Sequence, residues 1–206
     1  MKIDLKKELS GYAARRGVFD DVDIPRRRYA MIDGAGDPNT TVAYRDAVAT
    51  LYTFSFPLKF LSKQELGVDY VVGPLEALWW ADDLAFFTAA RDKKRWKWSA
   101  MIVVPDAVAE DQIDRALARA ADKGAPAIER LRIASVDEGR CVQTLHVGPY
   151  DDEGPVLARM HDEAIAGRGL RMRGHHHEIY LGDPRRTAPE RLRTILRQPV
   201  TGAETS

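Results

Sequence analysis

Cysteine is almost absent from this chain. Cys141 is the only one in 206 residues, so no disulfide can form within the molecule and nothing points to an oxidising compartment. No apolar run approaches the roughly 20 residues that a membrane-crossing helix needs. The opening segment MKIDLKKELSGYAARRG is too charged to hold the apolar core of a secretion signal. Charge of one sign is missing too: 31 Lys and Arg balance 31 Asp and Glu. A nucleic-acid binder normally carries a positive excess. The expectation is a cytoplasmic protein with no membrane partner and no direct nucleic-acid partner.

Familiar catalytic signatures are lacking as well. The segment GAGDPN at 34–39 has neither the Walker Lys-Ser/Thr pair nor a dinucleotide fingerprint, and reads as a strand-to-helix turn. There is no Gly-x-Ser-x-Gly elbow, and Cys141 sits in a strand pattern as core. His175 and His177 share one face of a strand, but a metal needs three or four convergent ligands and no second cluster supplies them. Neither a metal nor a cofactor is expected. The basic stretch DKKRWKW at 92–98 reads as a solvated loop entering a strand, because the rest of the chain does not extend its charge.

What is present is an ordinary globular composition, 45% hydrophobic and 30% charged. Residues 1–24 read as a short helix and a surface arm. A strand over 28–33 runs into the GAGDPN turn. Tyr44, Ala47, Val48 and Leu51 then mark one buried helical stripe, which Pro57 is expected to kink or end. A short strand is expected at 70–72 and a longer one at 96–104, with Trp79-Trp80 in a long connection between them. The second half carries a helix over 109–123, strands near 129–136 and 140–148, and a helix with Leu157, Met160 and Ala164 inward. A final strand over 175–181 is followed by a capped short helix bearing Leu192, Ile195 and Leu196. MIDGAGDPNTTVAYRDAV and LHVGPYDDEGPVLARM share an order of elements. The expected fold is α+β: a duplicated strand–helix–strand–strand module with helices on one face of an antiparallel sheet and a central groove. Its parts are an arm over 1–24 and modules over 25–105 and 106–206, forming one domain.

Chemistry concentrates in HHHEIYL at 175–181. Strand side chains alternate faces, so Glu178 and Tyr180 share a face that Ile179 and Leu181 do not. With the apolar pair under the helices, Glu178 and Tyr180 point into the opposite, concave face. A carboxylate on an aromatic wall pairs with a cation or acts as a base; a solvated edge-strand Glu beside Arg171, Arg173, Arg185 or Arg186 is the alternative. The aromatics Tyr44, Tyr52, Phe54, Tyr70, Trp79, Trp80, Phe86, Phe87, Trp96, Trp98, Tyr150 and Tyr180 are mostly core by area. Flat walls with one or two acids suit planar or cationic small molecules. Asp151 and Asp152 read as acids capping a helix N-terminus; Glu153 is either a cap or a second groove carboxylate.

The stretches RYAMIDGAGDPN, DYVVGPLEALWW, RWKWSAMIVVPD, HVGPYDDEGP and HHHEIYLGDPRRTAPERLRTILRQPV resemble, in the same order, the stand-alone GyrI-like small-molecule-binding proteins. The resemblance implies a groove for flat or cationic organic compounds, with Glu178 as its glutamate and Tyr70, Trp79, Trp80, Trp98, Tyr150, Tyr180 and Tyr44 as walls. Some stand-alone members are similar to cyclopropanoid hydrolases, which add water to the strained ring of DNA-alkylating natural products. That implies a detoxifying enzyme with Glu178, Glu153 and Tyr150 as catalytic groups. A non-catalytic drug-sequestering protein and a gyrase-modulating protein are the alternatives.

Overall fold

The computed structural model describes residues 2–82 and 92–202. In chain order the strands are β1 (Lys2–Asp4), β2 (Asp20–Ile24), β3 (Arg27–Ala35), β4 (Asp69–Val71), β5 (Glu76–Trp80), β6 (Lys97–Val103), β7 (Arg132–Val136), β8 (Gly139–Val147), β9 (Leu170–Met172), β10 (His176–Tyr180) and β11 (Arg193–Gly202). The helices are α1 (Leu5–Glu8), α2 (Val42–Leu66), α3 (Glu110–Asp122) and α4 (Gly154–Arg159). The last continues through a π-helical turn, Met160–Ile165. No helix among the described residues is long and apolar enough to cross a membrane.

The main sheet runs β2-β8-β11-β10-β5-β6-β3-β7, all antiparallel, with β9 added to β11. Its two ends are joined through the chain. Ile24 faces Gly139 and Arg27 faces Val136, so three steps forward on one segment match three back on the other. Residues 20–35 and 132–147 therefore stay paired across two bends, one at Pro25 and one at Gly139, whose φ of 58° is the left-handed conformation that glycine adopts freely. The end strands β2 and β7 are short, five residues each, which limits the edge open to another chain among the described residues. The ladder β3-β6-β5 is matched by β8-β11-β10, each with a helix after its first strand, and the halves meet where β5 pairs with β10.

Register assigns every strand residue to one of two faces, since directly paired residues share a side. One row reads Ile32, Ala100, Ala77, Glu178, Leu196, Thr144. Leu196 packs with Leu157 and Met160 of the α4 segment, while Ile32 and Ala100 share a core with Ala47, Leu51 and Phe54 of α2. This is the helix-bearing face. Burying about 2 kcal/mol of apolar side chain at each such position holds the helices down.

The opposite row reads Met31, Met101, Glu76, Ile179, Ile195, Leu145. It is covered by the N-terminal segment. Tyr12 packs on Leu145, Ile179 and Ile195 and donates its hydroxyl proton to Glu76. Arg197 donates to Gly11 O at 2.6 Å, Arg27 to Ser10 O at 2.7 Å and Gln143 to Ala13 O at 2.9 Å. Behind these contacts lies a buried ionic cluster. His177 stands 2.9 Å from both Glu76 and Glu138, and Arg197 reaches Glu138 at 2.8 Å.

Four expectations are corrected here. Residues 1–24 are no surface arm, because β2 belongs to the main sheet and residues 9–16 fill its inner face. Pro57 does not end α2, which runs through it; a proline costs one backbone hydrogen bond, and packing on the sheet outweighs that loss. Trp79 and Trp80 sit in strand β5 rather than in a connection. The expected helix after residue 187 is a single turn, Pro189–Arg191, followed by β11. Ile195 and Leu196 belong to clusters on opposite faces, which only a strand allows.

Candidate functional site

Ala77 and Ala100, both fully buried, stand in the row of Glu178 on the helix-bearing face. The next row on that face is Gly34, Trp98, Trp79, His176. Gly34 carries no side chain for a specific reason: a Cβ there would stand 2.8 Å from Cζ3 of Trp98 and closer still to Cζ2 and Cη2. The fully buried Trp98 ring lies in that space. Tyr44, from the first turn of α2, meets Trp98 edge-on at 4.9 Å and stacks on Trp79 at 5.8 Å. Trp96 meets Trp79 at 5.6 Å.

Glu178 is 6% exposed and Glu153 2%. Trp79 Nε1 donates to the Tyr180 hydroxyl at 3.0 Å, and that hydroxyl donates to Glu178 Oε2 at 2.7 Å. His176 Nε2 stands 3.6 Å from Glu178 Oε1. Tyr150, on the turn Tyr150–Glu153 that leads into α4, meets Tyr180 edge-on at 5.4 Å. Burial pushes the Tyr150 phenol up to about 12, helped by the negative charges of Glu153 and Glu178. Tyr180 is raised too, by burial and then by Glu178, with Tyr44 and Glu153 adding to it. Tyr44 follows the same pattern, with burial first and Glu178 second. All three phenols are therefore un-ionised donors at neutral pH. Glu178 and Glu153 both act on Tyr150 and Tyr180.

Glu178 thus lies on the helix-bearing face, not on the opposite, concave face where the sequence analysis put it. The parity of Glu178 and Tyr180 against Ile179 is as expected, but Ile179 faces the N-terminal segment rather than the helices. Tyr44, Trp79, Trp98, Tyr150, Glu153, Glu178 and Tyr180 come together. Trp80 does not join them: it points to the other face, half-buried, and stacks on His175 at 4.3 Å. Tyr70 is buried in the core on β4, and burial alone raises its phenol. Asp151 forms an ion pair with Lys93. Phe86 and Phe87 lie outside the described residues. His176, Trp96 and Gly34 stand beside these residues, although the sequence analysis did not place them in the groove. For His176 the signal was available, since it stands two residues before Glu178 on the same strand.

The family model of the GyrI-like small molecule binding domain matches residues 20–201. An uncharacterised conserved protein from Listeria innocua is 36% identical, with a TM-score of 0.84 over 97% of this chain and 100% of that one. Two structures of a hydrolase from Listeria innocua are 34% and 35% identical, with TM-scores of 0.81 and 0.83. They cover 97% and 98% of this chain and all of theirs. No curated protein matches.

Proposed function

We propose, for a chain that belongs to the GyrI-like small-molecule-binding domain family, that the groove takes a flat, electron-poor or cationic aromatic compound and adds water to a strained electrophilic ring on it. The observation that carries this reading is Glu178, a carboxylate 6% exposed among aromatic rings and held by a tyrosine proton. Burying a carboxylate is costly unless it has work to do there. The similarity to Listeria innocua proteins described as hydrolases supports water as the co-substrate.

In chemical terms, a polycyclic ring stacks against Tyr44 and Trp79, each aromatic contact contributing about 0.5–1.5 kcal/mol. Two carboxylates, Glu178 and Glu153, favour a ligand carrying positive charge or developing it. A water beside Glu178 loses a proton to the carboxylate as its oxygen bonds to the least hindered cyclopropane carbon. The broken carbon–carbon bond sends its electron pair into the conjugated carbonyl. A phenol donates a hydrogen bond to the oxyanion that forms, the proton taken up by Glu178 passes to that oxygen, and the product is the substrate plus one water. Ring strain provides much of the driving force, so orientation and one base suffice.

The test is mass analysis of a cyclopropane-bearing alkylator incubated with the wild type and with Glu178→Gln. The expected result is a product heavier by one water with the wild type, and an unchanged ligand, still bound, with the variant. Equal turnover by both would remove Glu178 as base. Tight binding with no mass change by either would leave a sequestering protein.

A further inference from the structure

Tyr44, Tyr180 and Tyr150 all place a phenol near the carboxylates; Tyr44 is hydrogen-bonded to Tyr180, which leaves Tyr180 and Tyr150 as candidate donors to the substrate oxygen. The hydrogen bonds around Tyr180 distinguish them. An indole N–H is a donor and nothing else, and a phenol has a single proton. Because Trp79 Nε1 stands 3.0 Å from the Tyr180 oxygen, that oxygen must accept. Its own proton then goes to Glu178 Oε2, 2.7 Å away. Trp79 is 3% exposed and wedged between Tyr44 and Trp96, so its N–H cannot turn to water.

We infer that Trp79 is a positioning residue for the Glu178 carboxylate, acting through Tyr180, and that Tyr150 is the phenol that meets the substrate oxygen. This rests on the proposed role of Glu178 as base. The chain Trp79 to Tyr180 to Glu178 has one possible direction. Each donor polarises the next, and the carboxylate is held by Oε2 with Oε1 turned toward His176. Tyr180 has no second proton to offer. Among the described residues the Tyr150 hydroxyl makes no hydrogen bond, and the carboxylates it faces are Glu153 and Glu178. Trp79 thus does two things: its ring lines the groove, and its N–H sets the carboxylate.

The experiment separates these two by removing the N–H and keeping the ring. Trp79→Phe, and incorporation of 3-benzothienylalanine at position 79, which keeps the bicyclic shape with sulfur in place of N–H, are compared with the wild type in water addition across pH. The expected result for the benzothienyl protein is a kcat lower by about tenfold with KM changed by less than about twofold; Trp79→Phe shares the loss in kcat and, with a smaller ring to stack on, raises KM as well. The acid limb of the profile moves up by about half to one pH unit, because a carboxylate with a weaker donor is less stabilised as the anion. A purely structural role would lower the active fraction and leave the limb in place. Carbon-13 NMR titration of glutamate-labelled protein, with the Glu178 signal identified by its loss in Glu178→Gln, reads the same change without any substrate. A higher midpoint in the position-79 variants supports the chain even if the wild type turns nothing over, in which case the base assignment alone falls. An unmoved midpoint in the benzothienyl protein overturns the inference. Tyr150→Phe is expected to slow turnover with the Glu178 midpoint unmoved; full activity in that variant overturns the assignment of Tyr150.

Discussion

Replacing Gly34 by alanine adds one methyl group where the Trp98 ring already lies. Gly34 is in β3 with extended backbone and is not among the glycines of positive φ, so the backbone itself tolerates alanine. In an open strand the change would stabilise by about 0.5–1 kcal/mol, through the lower chain entropy of alanine when unfolded. Here the new Cβ falls 2.8 Å from Trp98 Cζ3 and nearer to two further ring carbons. A neighbour that cannot bend away must move by about 1 Å to restore normal contact. Trp98 is fully buried and braced by Tyr44 at 4.9 Å, so its retreat displaces Tyr44 as well. Overpacking of this kind costs about 1–3 kcal/mol, which for a chain this long lowers Tm by about 2–12 °C. Calorimetry and urea unfolding measure the loss, near-ultraviolet circular dichroism reports the indole environment, and ligand titration reports the proposed groove. Trp98→Phe in the same chain makes room for the methyl, so the two changes together should cost less than their sum by about 1 kcal/mol or more. Gly202→Ala, with nothing within 4 Å, is the near-neutral control. A Gly34→Ala protein as stable as the wild type, with ligand binding unchanged, would refute the reasoning.

The inner ionic cluster predicts how stability varies with pH. Burial opposes the charge on Glu138, but His177 and Arg197 outweigh it and hold the carboxyl down at about 2, from 4.5. Its contribution is full above about 4.5 and is lost as pH falls toward 2. Burial likewise opposes a charged His177, yet Glu138 and the hydrogen bonds to Glu138 and Glu76 keep its pKa above the usual 6.5. That contribution is full below about 6.5 and is lost as pH rises through the raised value. Urea unfolding at about pH 3, 5.5 and 9 is expected to show greatest stability at the middle value, and a flat profile would contradict this. Glu138→Gln leaves Arg197 buried without its partner carboxylate and is expected to cost about 3–5 kcal/mol. Tyr12→Phe leaves Glu76 short of a donor, at about 1–3 kcal/mol, and should speed proteolysis between residues 9 and 16 more than elsewhere; uniform cleavage would count against the role given to that segment.

Much of the site was legible because strand parity is strict. HHHEIYL names its own two faces, and the acids and rings that gather around Glu178 are those the sequence analysis put forward. Which face carries the helices was not legible. Ile179 is apolar and buried, but what buries it is Tyr12, from a segment whose polar composition looks solvated. That segment is held by hydrogen bonds from Arg197, Arg27 and Gln143 to backbone oxygens, contacts that leave no hydrophobic pattern. The LRTILRQPV segment misleads for a related reason. Leu192, Ile195 and Leu196 fit a helical stripe, and only the pairing of β11 with β8 and β10 selects the period of two. Trp80 was grouped with Trp79 by adjacency, although neighbours on a strand point apart.

The contact between Arg197 and Gly11 joins residues 186 positions apart. During synthesis the N-terminal segment therefore waits for that whole span before its partner emerges from the ribosome. Until β11 inserts, the carboxylates Glu138 and Glu76 lack the guanidinium that offsets them, and the inner face cannot dry. Loop closure over such a span is slow, so refolding should be limited by this late step, with the helices and the β3–β6–β5 ladder formed well before it.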